Sequence, residues 1–138
     1  MRKNISLTKI FTFSAAHRLH STQLSEDENK QVYAKCNNEY GHGHDYILEV
    51  TVKGEPDALS GKIIPHREFN ILIHEIIDPL DHRHLDKEIP YFKEHLSTGE
   101  NIIQYLWSKI EGSLSEKLLY HLKLWETNNN FFEIERKK

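Results

Sequence analysis

His42-Gly43-His44-Asp45-Tyr46-Ile47-Leu48-Glu49-Val50-Thr51-Val52 alternates without a break. Tyr46, Leu48, Val50 and Val52 share one face and Glu49, Thr51 and Lys53 take the other, the pattern of a half-buried β-strand. The parity runs back to His44 and His42, so both imidazoles extend the inward face. Upstream, residues 5–14 alternate too, with Ile5, Leu7, Phe11 and Phe13 on one face. The two segments read as paired strands. The polar, acidic stretch Ser21 to Asn29 reads as a loop, and Asn37-Asn38-Glu39-Tyr40-Gly41 as a turn.

Downstream the period changes. Phe69, Leu72, Ile73, Ile76, Ile77 and Leu80 recur at helical spacing, and Pro79 marks the end of that helix. Asp81 to Asp86 reads as a polar loop. Ser97 with Glu100 three residues on predicts a capping box, opening a second helix with Ile102, Ile103, Leu106 and Ile110 on its apolar side. Leu118 to Glu126 and Phe131 to Glu135 read as strands joined at Asn128-Asn129-Asn130. The order ββααββ, without repeat or linker, predicts one α+β domain over residues 1–138. Its simplest form is a four-stranded antiparallel sheet with two helices packed on one face. Such a sheet leaves two open edges, which oligomerisation by edge pairing would cover.

The 138 residues carry a formal net charge of −3 and no lysine-arginine block, which argues against nucleic acid as a partner. No apolar run approaches the roughly 20 residues of a membrane helix. Met1-Arg2-Lys3-Asn4-Ile5 lacks the apolar core of a secretory signal, so a cytoplasmic location is expected. Cys36 is the one cysteine, which rules out an intrachain disulfide.

Ten histidines direct attention to metal spacing. Side chains at i and i+2 of a strand lie about 7 Å apart on one face, so His42 and His44 can converge on one ion. His17, just past the first strand, lies across from them if the strands pair as a hairpin. Three histidines and an open position form the layout of a catalytic zinc site. The bland reading is a hydrogen-bonded or solvated pair near a turn. Gly41 and Gly43 favour close approach of backbone or ligand.

Three further candidates carry two readings each. Cys36, beside Lys35 and close in sequence to His42, is either a thiolate or a small buried apolar residue. Asp81 and His82 are either an acid-base pair or solvated loop charges. Adjacent residues rarely pair with each other, so each could instead contact Cys36 or substrate. Glu126 ends the apolar face of Tyr120, Leu122 and Leu124. It either reaches water or accepts from a guanidine-like ring edge.

Together these segments resemble the 6-pyruvoyltetrahydropterin synthase family. The matching runs are Phe13-Ser14-Ala15-Ala16-His17-Arg18-Leu19, Cys36-Asn37-Asn38-Glu39-Tyr40-Gly41-His42-Gly43-His44, Pro79 to Asp86, Ser97-Thr98-Gly99-Glu100-Asn101 and Trp125-Glu126-Thr127-Asn128-Asn129. They stand in family order across nearly the whole chain. The resemblance implies the tunnelling fold, assembled as a hexamer of two stacked trimers with active sites between subunits. It implies Zn2+ on His17, His42 and His44, Cys36 as the proton-transferring base, and Asp81 and His82 as its acid-base partners. Glu126 would hold the pterin, with Thr98 and Glu100 as further pocket residues. The implied reaction converts 7,8-dihydroneopterin triphosphate to 6-pyruvoyltetrahydropterin with loss of triphosphate. The sister activity, 6-carboxytetrahydropterin synthase of the queuosine pathway, and a non-catalytic zinc- or pterin-binding module are the alternatives. Two departures from the family pattern, Pro65-His66 and Gly99, are expected to bear on pocket shape.

Overall fold

The computed structural model describes residues 3–115 and 117–137. Strand β1 (Ile5–His17) is followed by helix α1 (Glu26–Tyr33), a 3₁₀ turn (Ala34–Asn37) and strand β2 (His42–Gly54). Helix α2 (His66–Ile77) leads to β3 (Arg83–His84) and two single-turn helices, α3 (Leu85–Glu88) and α4 (Tyr91–Glu94). Helix α5 (Gly99–Ser113) and the hairpin β4 (Leu119–Thr127) and β5 (Asn130–Glu135) complete the order.

The sheet runs β3-β1-β2-β4-β5. It has five strands where the alternation predicts four, and it is mixed rather than wholly antiparallel. The added strand, β3, is two residues long and pairs parallel with β1. It lies in the stretch read as a polar loop, too short to show a period. The β1–β2 register sets Phe13 opposite Tyr46, Ala15 opposite His44 and His17 opposite His42. That single ladder brings the N-terminal histidine to the other two.

One face of the sheet is apolar: Phe11, Phe13, Tyr46, Leu48, Val50, Val52, Leu122 and Leu124 are buried there. Helix α2 closes over it with Phe69, Ile73 and Ile77, and α5 with Ile102, Ile103, Leu106 and Ile110. Each such side chain, fully buried, contributes about 1.5–3 kcal/mol. The apolar spacing of both helices therefore does in the fold what it announces in the sequence.

Two local expectations are corrected. Residues 26–33 are helical, capped by Ser25 in a reciprocal box with Glu28. The S-x-x-E signal stands in the sequence, but the segment has no apolar stripe. Its buried residue is Asn29, whose amide binds the Ser21, Leu24 and Ser25 carbonyls and whose oxygen accepts from Ser21 N–H. The second correction concerns α5, whose cap is Thr98, accepting from Asn101 N–H at 3.2 Å. Ser97 does not cap, because its hydroxyl donates to Asp86 at 2.7 Å.

Both departures from the family pattern acquire a structural meaning. Pro65 is the N-cap of α2, its carbonyl accepting from Phe69 N–H at 3.0 Å, and His66 is the first helical residue. Gly99 faces the Phe132 ring, which lies 2.0 Å from where a Cβ would stand. Gly99→Thr is therefore expected to destabilise by about 1–3 kcal/mol. Adding Phe132→Val should recover much of that loss, and a double-mutant cycle by urea unfolding measures the coupling.

Candidate metal centre and its surroundings

His17, at the end of β1, is fully buried. Its Nδ1–H donates to the Ser97 carbonyl at 2.7 Å, which leaves the Nε2 lone pair free. Ser97 is held in turn. Its hydroxyl donates to Asp86 Oδ1 at 2.7 Å, and Asp86 Oδ2 accepts from Arg18 N–H at 2.7 Å. Asp86 thus clamps the residue after His17 and the residue that orients His17. Neither Asp86 nor Ser97 is marked by sequence spacing, since the contact with His17 spans 80 residues.

The rings of His17, His42 and His44 lie with centroids 4.7–5.1 Å apart. They offer ligand atoms that all lie within 4.8 Å of one another. His17 Nε2, His42 Nδ1 and His44 Nε2 are buried with no hydrogen-bond partner. Buried polar atoms are normally paired, so three converging orphans fit a cation. A zinc ion at about 2 Å from each nitrogen needs them about 3.3 Å apart, a small closure from this geometry. Gly41 permits the approach. Its φ is +81°, and a Cβ there would stand 2.7 Å from His84 Nε2 and 3.0 Å from the His17 carbonyl oxygen. Gly43 meets only the Ala15 carbonyl oxygen at 3.8 Å, so the chain itself does not require glycine there.

Burial holds His42 and His44 below the ordinary histidine value of 6.5; for His42 the neighbouring imidazoles add to it, and Glu126 partly offsets both. The unfolded chain therefore takes up more protons than the folded one as pH falls below about 6.5. Stability of the metal-free protein is expected to be flat above that value and to decline below it, down through the lowered folded values. Melting curves between about pH 5 and pH 8 test this, and His42→Gln should flatten the profile.

Cys36 lies in the 3₁₀ turn, partly buried, and its carbonyl accepts from Leu19 N–H at 2.6 Å. Burial first, and the Glu126 charge second, push its thiol up. The exposed Lys35 ammonium does not reverse this. Glu126, at the irregularity in the β4–β5 ladder, accepts from Asn130 Nδ2 at 3.2 Å, and its charge is in electrostatic reach of Cys36, His42, His44 and Tyr46. An open cavity of about 960 Å³ leads outward from His42, lined by Arg18, His20, Lys30 and Lys35 among others.

Asp81 and His82 lie between α2 and β3. Asp81 Oδ1 accepts from Ser14 N–H at 2.8 Å, the main reason its carboxyl is held low. Contrary to expectation the two do pair: His82 Nδ1 is 3.1 Å from Asp81 Oδ1, at a residue with φ of 60°. They border a cavity of about 410 Å³ with Ser14, Asp45 and Tyr46 among others, and His82 also lines one of about 520 Å³ that includes His44. No described hydrogen bond or ion pair joins either to Cys36 in the same chain. Thr98 adjoins Ser97 but is engaged in its cap, and Glu100 is exposed on the first turn of α5.

The fold and cluster together define an α+β scaffold, with two helices on one sheet face and three histidines that could hold a metal ion at the end of its β1–β2 ladder. Residues 6–137 match the family model of 6-pyruvoyl tetrahydropterin synthase, and the chain belongs to that family. The chain is 46% identical to the 6-pyruvoyl tetrahydrobiopterin synthase of Poecilia reticulata over 90% of its length and 85% of the relative's. It is 41% identical to the Homo sapiens protein of that name, over 94% and 90%. The solved Caenorhabditis elegans 6-pyruvoyl tetrahydropterin synthase superposes with a TM-score of 0.93 at 37% identity, covering 99% of both chains.

Proposed function

We propose that this chain converts 7,8-dihydroneopterin triphosphate to 6-pyruvoyltetrahydropterin, eliminating triphosphate, with Zn2+ held by His17, His42 and His44. The observation that carries the reading is the convergence of three orphaned imidazole nitrogens. The named relatives support it.

The metal, when bound, supplies a Lewis acid for the side-chain oxygens and so acidifies the neighbouring C–H. Cys36 takes and returns the proton at that carbon. Glu126 accepts from the amino group and ring N–H of the pterin, two parallel donors on one carboxylate. Arg18, Lys30 and Lys35, none of them in a described ion pair, line the cavity leading from His42 and meet the triphosphate. Asp81 and His82 serve as acid and base for Cys36 of an adjacent copy in a hexamer of two trimers. Support for assembly comes from β5, an open edge of six residues, and from β1, of which β3 covers two residues.

The test is turnover of 7,8-dihydroneopterin triphosphate by the zinc-loaded protein, with the product read by mass spectrometry. A retained three-carbon side chain bears the proposal out. A carboxyl group with acetaldehyde, or binding without conversion, overturns it. Light scattering reads the assembly.

A further inference from the structure

Tyr46 is fully buried, and its hydroxyl has no hydrogen-bond partner. A buried phenol ordinarily finds one, since leaving it unpaired costs stability that a phenylalanine would not. Among the described residues, the other buried side-chain atoms without a partner are the three metal-facing imidazole nitrogens and the two ring nitrogens of His84. Tyr46 belongs with the first group. It stands two residues beyond His44 on the same face of β2, and its ring meets the His44 ring edge-on at 5.7 Å. On the other side it stacks on Phe13 at 5.0 Å. The two contacts leave the ring little freedom. A phenol is a neutral O–H at neutral pH and can donate one hydrogen bond.

We propose that the Tyr46 hydroxyl donates a hydrogen bond to an oxygen of the ligand bound at the three-histidine site, orienting it between Glu126 and Cys36. The inference rests on the functional reading above and adds a binding group to it. A fixed donor in a water-poor site acts most strongly where negative charge develops on its acceptor, so its removal should affect kcat more than KM.

Tyr46→Phe is the test, because it removes one oxygen and keeps the ring. Metal-free, the variant should melt at the same temperature as wild type or higher. Loaded with Co2+, it should bind one equivalent and give an unaltered visible spectrum. Titration of both proteins with 7,8-dihydroneopterin, followed by that spectrum, should show about 5- to 30-fold weaker binding in the variant. On the triphosphate substrate kcat should fall about 10- to 100-fold with a smaller change in KM. Affinity and turnover within about twofold of wild type overturn the proposal. So does a lower melting temperature of the metal-free variant, which reveals an internal partner for the hydroxyl. Wild-type protein that fails to turn over the triphosphate sinks the functional reading instead, and the titration still decides the role of Tyr46.

Discussion

His42→Ala is expected to lose bound metal and turnover together while the fold survives. Apparent binding energies for four-ligand zinc sites of about 10–16 kcal/mol assign roughly 3 kcal/mol to each ligand. Losing one of three protein ligands therefore weakens metal binding by at least about a hundredfold. The protein purified at neutral pH should carry well under half an equivalent, as read by atomic emission. Turnover should fall below detection, because the site would lack both its Lewis acid and the fixed geometry around it. Metal-free stability should change little or rise slightly, since His42 is partly exposed and shares its surroundings with two other imidazoles. Full metal content with retained activity would move the metal site elsewhere in the chain.

Cys36→Ala separates the base from the metal. The sulfur is not among the ligand atoms that cluster within 4.8 Å, so metal stoichiometry should stay at the wild-type value. Turnover should drop about 10²- to 10⁴-fold, the range a positioned proton-transfer group contributes. Stability should change by no more than about 1 kcal/mol, because the side chain is only partly buried. Loss of metal in this variant would make Cys36 a ligand. Unchanged turnover would place the base on another residue. The thiol is pushed up by burial and by Glu126. The metal's positive charge acts in the opposite direction, so wild-type activity should depend on pH differently from metal affinity. Comparing the two profiles separates the sulfur from the imidazoles.

The contrast between the two variants follows from where the residues sit. His42 and His44 share a strand face, so their convergence is dictated by a two-residue period. Cys36 belongs to an irregular turn, and nothing periodic connects it to them. Asp81 and His82 follow α2 and lead into β3, and among the described residues no hydrogen bond or ion pair joins either to Cys36.

Much of this protein was legible from alternation and helical spacing alone. The four long strands, helices α2 and α5, their buried faces and the histidine pair on β2 all follow from periods of 2.0 and 3.6, which are properties of neighbours in sequence. Helix α1 escaped because capping and a buried asparagine hold it, not an apolar stripe. Strand β3 escaped because two residues carry no period. The pairing of Ser97 with Asp86, which displaced the expected cap onto Thr98, is a competition between a local and a distant partner for one hydroxyl. Tertiary structure alone decided that His17 is aimed by a carbonyl 80 residues away, that Phe132 reserves Gly99, and that Tyr46 carries an unpaired donor with its ring against His44. Those outcomes depend on which side chains arrive at the same point in space, and sequence spacing carries that information only for residues on one element.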